Sequence, residues 1–259
     1  MRSTILVTGG GSGIGRGLAE EFLKRGNTVI IAGRQQHRLE AVCTANPGMH
    51  FCALDIRDAE AVARFAREIV IRFPALDALI NNAGMSPIED LCADDVDVSV
   101  AEQTIVTNLL GPIRLTRALL PHFRSKACAT ITNVTSALGF VPFAATPTYC
   151  ATKAAIHSYT MSLRRQLRHT NIRITEIIPP YVQTTLLGEW QAVDPRAMPL
   201  DAFIGETMRN FDREPTAPEN RVEMADFLRY AERDGRFDQA FEAVNSIQLF
   251  ASDRTPMTK

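Results

Sequence analysis

Short β-branched apolar runs alternate with longer amphipathic stretches over the first two thirds of the chain. Thr4-Ile5-Leu6-Val7 leads into a glycine-rich turn and an amphipathic stretch over residues 14–24. Thr28-Val29-Ile30-Ile31 is followed by a helical pattern over 36–45. The same rhythm predicts strands at 50–54, 78–81, 129–134 and 172–178, and helices at 59–72, 101–123 and 148–169. Strands separated by helices imply βαβ units and a parallel sheet covered on both faces. Right-handed crossovers then make a doubly wound α/β sandwich of the Rossmann type the expected fold.

The rhythm stops at Pro179-Pro180. Residues 181–219 contain Pro195, Pro199, Pro215 and Pro218, which marks an excursion rather than another βαβ unit. A helical pattern occupies 200–211, and another resumes at 220–233. Irregular stretches of this length are usually lids or binding loops, so 184–213 is expected to be a substrate lid. Without an internal repeat or a linker, residues 1–245 are read as a single domain. Residues 246–259 are read as a loosely attached tail.

Composition narrows the function. The chain has 259 residues, 46% hydrophobic, with 28 basic against 29 acidic residues. A net charge of -1 argues against binding a nucleic-acid backbone, which calls for a basic excess. No apolar run is long enough to span a membrane. The five cysteines form no C-x-x-C pair, so neither a disulfide framework nor a zinc site is expected. With no signal-peptide pattern at the start, a reducing cytoplasm is the expected compartment.

The chemistry is concentrated at the ends of the predicted strands. Thr8-Gly9-Gly10-Gly11-Ser12-Gly13-Ile14-Gly15 joins strand one to helix one. Glycines there allow positive φ and let a pyrophosphate reach the amides of a helix N-terminus. The spacing is T-G-x-x-x-G-x-G, not the literal G-x-G-x-x-G. Strand two ends in Ala32-Gly33-Arg34, where an NAD-selective site would carry an acid. A guanidinium at Arg34, with Arg38 one turn on, suits a 2′-phosphate, so NADP is expected rather than NAD. Tyr149 and Lys153 stand at i and i+4 on one helix face, and Ser136 follows the strand ending at Val134. An ammonium beside a phenol draws its pKa towards the working range, while a hydroxyl can orient a reacting carbonyl.

Together these motifs resemble the short-chain dehydrogenase/reductase family, in its branch of roughly 250 residues. The resemblance runs from Thr4 to about Thr185 and takes in Asp55, Asn81-Asn82-Ala83-Gly84 and Asn108. Segments such as Asn27 to Arg34 and Thr146 to Lys153 are similar to those of DltE-type reductases. The resemblance implies that Tyr149 is the general acid and base, that Lys153 lowers its pKa and holds the nicotinamide ribose, and that Ser136 orients the substrate oxygen. It further implies that Asn108 anchors a water leading from Lys153 to solvent. Asp55 would meet the adenine amino group, with Ile56, Asn82, Ala83, Gly84, Pro179 and Val182 along the cofactor and Thr184 at its carboxamide. Pro180 replaces the family's usual glycine, and the usual glycine-rich final strand is missing.

The expected activity is hydride transfer between NADP(H) and a ketone, aldehyde or secondary alcohol. Leu138, Phe140, Phe143, Tyr181, Leu187 and Trp190 are the candidate substrate-pocket residues, and their apolar character favours a lipophilic substrate. No metal is expected. The long helices at 101–123 and 148–169 pair with their copies in the family, which implies a homodimer and leaves a tetramer open. A silent NADP-binding sensor or scaffold is the alternative, along with a sugar-nucleotide epimerase. The complete Ser-Asn-Tyr-Lys set speaks against the first and the short chain against the second.

Overall fold

The computed structural model describes residues 2–93 and 97–246; most of the expected tail at 246–259 lies outside them. Seven parallel strands form one sheet in the order β3-β2-β1-β4-β5-β6-β7. They are β1 (Thr4–Thr8), β2 (Thr28–Gly33), β3 (His50–Ala53), β4 (Leu76–Asn81), β5 (Ala129–Val134), β6 (Ile172–Ile178) and β7 (Glu219–Arg221). Strand order reverses between β1 and β4, which leaves a crevice above their carboxyl ends.

Both faces of the sheet are covered, which is why β1 and β2 carry apolar side chains on both faces. On one face Ile5 and Val7 join Leu18 of α1 (Gly13–Lys24) and Phe203 of α7 (Leu200–Arg213). On the other, Leu6 and Leu79 join Phe65 of α3 (Ala59–Arg72) and Leu115 of α5 (Gly111–Arg124). The remaining helices are α2 (Gln36–Ala45), α4 (Val98–Ile105), α6 (Pro147–Leu167), α8 (Asp226–Arg229) and α9 (Phe237–Asn245).

Three features depart from the sequence reading. The pattern over 101–123 is two α-helices joined by a π-turn at Val106–Leu110. Residues 220–233 do not form one helix, because Glu219–Arg221 adds to β6 as a seventh strand and only four residues of α8 follow. Three residues are too few to show a period of two, so the strand was hidden. The second half of the expected lid is core: Phe203, Ile204 and Met208 of α7 are buried, and Phe211 meets Phe22 of α1 with ring centroids 6.1 Å apart.

Candidate active site

A cleft of about 430 Å³ opens above the β1/β4 crevice, within the roughly 300–1,000 Å³ typical of ligand pockets. Gly9, Ser12, Gly13 and Ile14 line it, together with Arg34, Arg38, Ile56, Asn82, Ala83 and Gly84. Ser136, Tyr149, Lys153, Pro179, Val182 and Thr184 also line it. Another cleft of about 520 Å³ lies at the sheet edge, lined by residues of α2, β3 and α3. It is larger but carries no hydroxyl, phenol and amine together, so size does not decide the matter.

The floor of the cleft suits a pyrophosphate. Gly9 and Gly13 sit at φ of +68° and +53°, where a side chain would be strained. Gly15 is buried against the Asn82 amide and the Gly9 carbonyl, leaving no room for a Cβ. Ser12 precedes α1 without using its hydroxyl as a cap, and the first turn carries no acid. Polar donors at a helix start with no acidic neighbour fit an anion. Arg34 and Arg38 are exposed at the cleft, and among the described residues neither makes a side-chain hydrogen bond or ion pair.

The adenine end differs from expectation. Asp55 is turned to Arg57, whose guanidinium donates to both carboxylate oxygens at 2.7–3.1 Å. These bonds hold the carboxyl below its ordinary range. Ile56, not Asp55, lines the cleft.

β4 delivers Asn82 to the floor, and Thr8 of β1 fixes its exit. The Thr8 hydroxyl accepts from Asn82 N at 3.0 Å and Ala83 N at 3.1 Å. The Asn82 amide donates back to the Thr8 carbonyl at 3.0 Å. Asn108 lies inside the π-turn, an element common at functional sites. Its side chain accepts from Met85 N at 2.9 Å and donates to Met85 O at 2.8 Å and Thr152 Oγ1 at 3.1 Å. Both amide hydrogens are therefore engaged.

Tyr149, Lys153 and Ser136 are all buried and border the same cleft. Lys153 Nζ donates to the Val134 carbonyl at 2.8 Å and lies 5.5 Å from the Tyr149 ring centroid. Burial pushes the phenol up to about 12 while the Ser136 hydroxyl draws it back. Burial also brings Lys153 down to about 8, against an upward pull from Glu176. Lys153 was expected to lower the phenol, but with its ammonium aimed at Val134 the protein groups leave desolvation dominant.

The six pocket candidates do not act together. None of them lines the cleft itself, and Leu186 reaches it rather than Leu187. Leu138 and Phe143 pack beside Tyr149 in a small cluster that also takes Val244 of α9. Phe140 is a correction: its half-buried ring packs on His157 at 4.7 Å and under Arg229 at 4.4 Å, against the core rather than in the cleft. Tyr181 commits its hydroxyl to Asp194 at 3.0 Å and serves as a strut. Trp190 stays partly exposed.

Some contributors had no signal in the pattern. Glu89 accepts from Thr148 N at 3.1 Å and Thr148 Oγ1 at 2.7 Å, which fixes the N-terminus of α6 just before Tyr149. Asn245 of α9 clamps the loop after Phe140 through Pro142 O and Ala144 N. Thr8 could have been suspected from its place at the strand end; the other two join distant segments.

A family model described as short chain dehydrogenase matches residues 3–194. The chain belongs to the short-chain dehydrogenase family. This family member is 38% identical over 184 residues to the oxidoreductase DltE of Bacillus subtilis, covering 71% of this chain and 73% of that one. It is 34% identical over 187 residues to an NADP-dependent 3-hydroxy acid dehydrogenase of Schizosaccharomyces pombe, covering 70% and 72%. A short chain dehydrogenase of Burkholderia cenocepacia, solved in complex with NADP, matches with a TM-score of 0.77 at 27% identity. That match covers 93% of this chain and 96% of the other. The chain is thus a short-chain oxidoreductase, and no helix among the described residues is long and apolar enough to cross a membrane.

Proposed function

We propose that the chain passes hydride between NADP(H) and a ketone, aldehyde or secondary alcohol, with Tyr149 as general acid and base. The observation that carries this reading is the meeting of Ser136, Tyr149 and Lys153 on the cleft that also holds the glycine-rich turn. Gly9, Ser12, Gly13, Ile14 and Gly15 would hold the pyrophosphate, and Arg34 with Arg38 the 2′-phosphate. Asn82, Ala83, Gly84, Ile56, Pro179, Val182 and Thr184 would line the rest. The NADP named for the Burkholderia and Schizosaccharomyces proteins supports the same choice.

The nicotinamide supplies or accepts the hydride; the protein handles the proton. In reduction Ser136 holds the carbonyl oxygen and Tyr149 gives it a proton. With its pKa near 12 the phenol is protonated at neutral pH, as a donor must be. In oxidation the proton returns to Tyr149, and the Lys153 ammonium stabilises the phenolate required. Leu138 and Phe143 form an apolar backing behind the phenol, and Leu187 and Trp190 stand in the segment that follows β6. Of the apolar residues in that segment Leu186 reaches the cleft, and with Met85 it favours a substrate with an apolar body.

NADPH consumption over a panel of carbonyl compounds tests the reading. Tyr149→Phe should lower turnover by ~100-fold or more, the usual scale of acid–base catalysis, with little change in NADPH affinity. Comparable turnover by the variant excludes the acid–base role. Absence of turnover by the wild type across the panel favours a silent binding protein. We also propose a homodimer built on the outer faces of α5 and α6, which a monomeric mass by light scattering would exclude.

A further inference from the structure

Behind Lys153, on the sheet side of α6, lies a carboxylate for which the hydride-transfer reading has no task. Glu176 sits in β6, fully buried between β5 and β7. Its oxygens accept from Thr135 Oγ1 at 2.7 Å and from His157 Nδ1 at 2.9 Å each. His157 follows Lys153 by one turn of α6. Thr135 follows Val134, whose carbonyl receives the Lys153 ammonium. Neighbours in sequence on both β5 and α6 therefore bracket Lys153 and Glu176 together.

A buried carboxylate is costly unless matched, so its partners indicate its task. Around Glu176 the charged and titratable groups are Lys153 and His157 from α6, Glu219 and Arg221 from β7, and Arg229 from α8. His157, Glu176 and Glu219 bring ligand atoms within 4.8 Å of one another, a spacing that could hold a metal ion. Arg229, however, forks onto Glu219 at 2.6 and 3.0 Å, so a cation there would have to displace a guanidinium. On that side the cluster is neutralised from within. Phe140 covers the imidazole edge-on at 4.7 Å. Towards the cleft, Lys153 is the charge that Glu176 acts on, through space and without an ion pair between them, since the ammonium is bonded to Val134 O.

We infer that Glu176 is a positioning residue for proton transfer: its buried charge holds Lys153 as an ammonium ion, and His157 fixes the carboxylate in place. The inference rests on the Tyr149–Lys153 reading given above. Burial by itself drives Lys153 towards the neutral amine, and Glu176 opposes this. Without that charge Lys153 would lose its proton at lower pH and could no longer stabilise the phenolate. The alkaline loss of carbonyl reduction therefore moves to lower pH, following the ammonium that stabilises the phenolate formed.

Glu176→Gln keeps the volume and can still bond to Thr135 and His157, so it isolates the charge. Lys153 can be titrated directly without cofactor by following isotope-labelled lysine Cε resonances. The chain has four lysines, Lys24, Lys126, Lys153 and Lys259, and Lys153→Met assigns the one of interest. In Glu176→Gln the Lys153 midpoint should fall by about one pH unit or more, the scale set by a close opposite charge. The alkaline limb of kcat/KM for carbonyl reduction should fall with it. Glu176→Asp retains the charge and should restore most of the shift. If Glu176→Gln does not fold, Glu176→Met puts the same question with an apolar side chain of similar length. An unchanged Lys153 midpoint in a folded charge-free variant overturns the inference, even if activity falls. A fully active Tyr149→Phe overturns the mechanism beneath it while leaving the Lys153 titration to be judged separately.

Discussion

A Cβ on Gly15 would fall inside the van der Waals envelope of the Asn82 amide nitrogen and 2.5 Å from the Gly9 carbonyl oxygen. The first turn of α1 and the exit of β4 thus touch through backbone and one amide, with no slack. Asn82 cannot retreat, because its amide is bonded to the Thr8 carbonyl. Gly15→Ala should therefore cost about 1–3 kcal/mol of stability, the usual range for overpacking. NADPH affinity should fall by tenfold or more as the turn is pushed off its floor. Urea unfolding and a fluorescence titration measure the two effects. Wild-type affinity in the variant would show that the turn does not carry the pyrophosphate.

Gly33 has the opposite character. A Cβ there meets only the Leu39 methyl groups, at 3.6 and 4.0 Å, so Gly33→Asp should fold normally. Its carboxylate would stand beside Arg34, where the 2′-phosphate is proposed to bind. NADPH affinity should drop about tenfold, or ~1.4 kcal/mol, while NADH affinity holds or rises. Equal losses for both cofactors would remove Arg34 from cofactor choice.

Asp194 is the most strongly perturbed acid in the segment after β6. Arg196 forks onto it at 2.6 and 2.9 Å, and its backbone amide adds a bond at 2.9 Å. These bonds hold the carboxyl well below its usual range. A lowered folded-state pKa adds stability above the ordinary carboxylate range, and that stability is lost as pH falls towards the folded value. Arg196→Gln removes the cause, so the midpoint of acid unfolding should move to higher pH. Circular dichroism against pH reads this, and an unmoved midpoint would mean the ion pair is energetically idle.

The part of the expected lid free to act as one is 184–199, since α7 belongs to the core. Gln191 pins that segment by donating to Val182 O at 2.8 Å and accepting from Leu187 N at 2.7 Å. Trypsin should therefore cut first after Arg196, which is 55% exposed, and only slowly after Arg209 or Arg213 on α7. NADPH should protect Arg196, because Thr184 at the hinge borders the cleft. Equal cleavage with and without NADPH would mark the segment as a static surface.

The βαβ rhythm was legible because buried parallel strands are apolar on both faces and their helices on one. The candidate site was legible where a short motif carries its own geometry, as in the glycine turn and the Tyr149–Lys153 pair, which share one cleft. What escaped depends on contacts between distant segments. Glu176 stands in Ile172-Arg-Ile-Thr-Glu-Ile-Ile, where a polar residue in a strand reads as facing solvent, yet α6 covers it. Phe140 reads as pocket because it follows Ser136 closely, but Arg229 and His157 draw it inward. The π-turn leaves no trace in hydrophobic period, since one turn of altered bonding barely shifts the buried face.

That turn has a further consequence for how the enzyme could change. Through Asn108, one amide gauges two separations at once: to Met85, directly after the cofactor floor at Gly84, and to Thr152, which donates to the Tyr149 carbonyl at 2.7 Å. Floor and phenol share a single ruler. The part of the surface segment beyond the cleft-lining Thr184, Thr185 and Leu186 is not bonded to it, so that part can change in length and composition without altering this spacing. Under the proposed function, substrate choice and reaction geometry would then be separately editable, the first in a surface loop and the second in a helix interior.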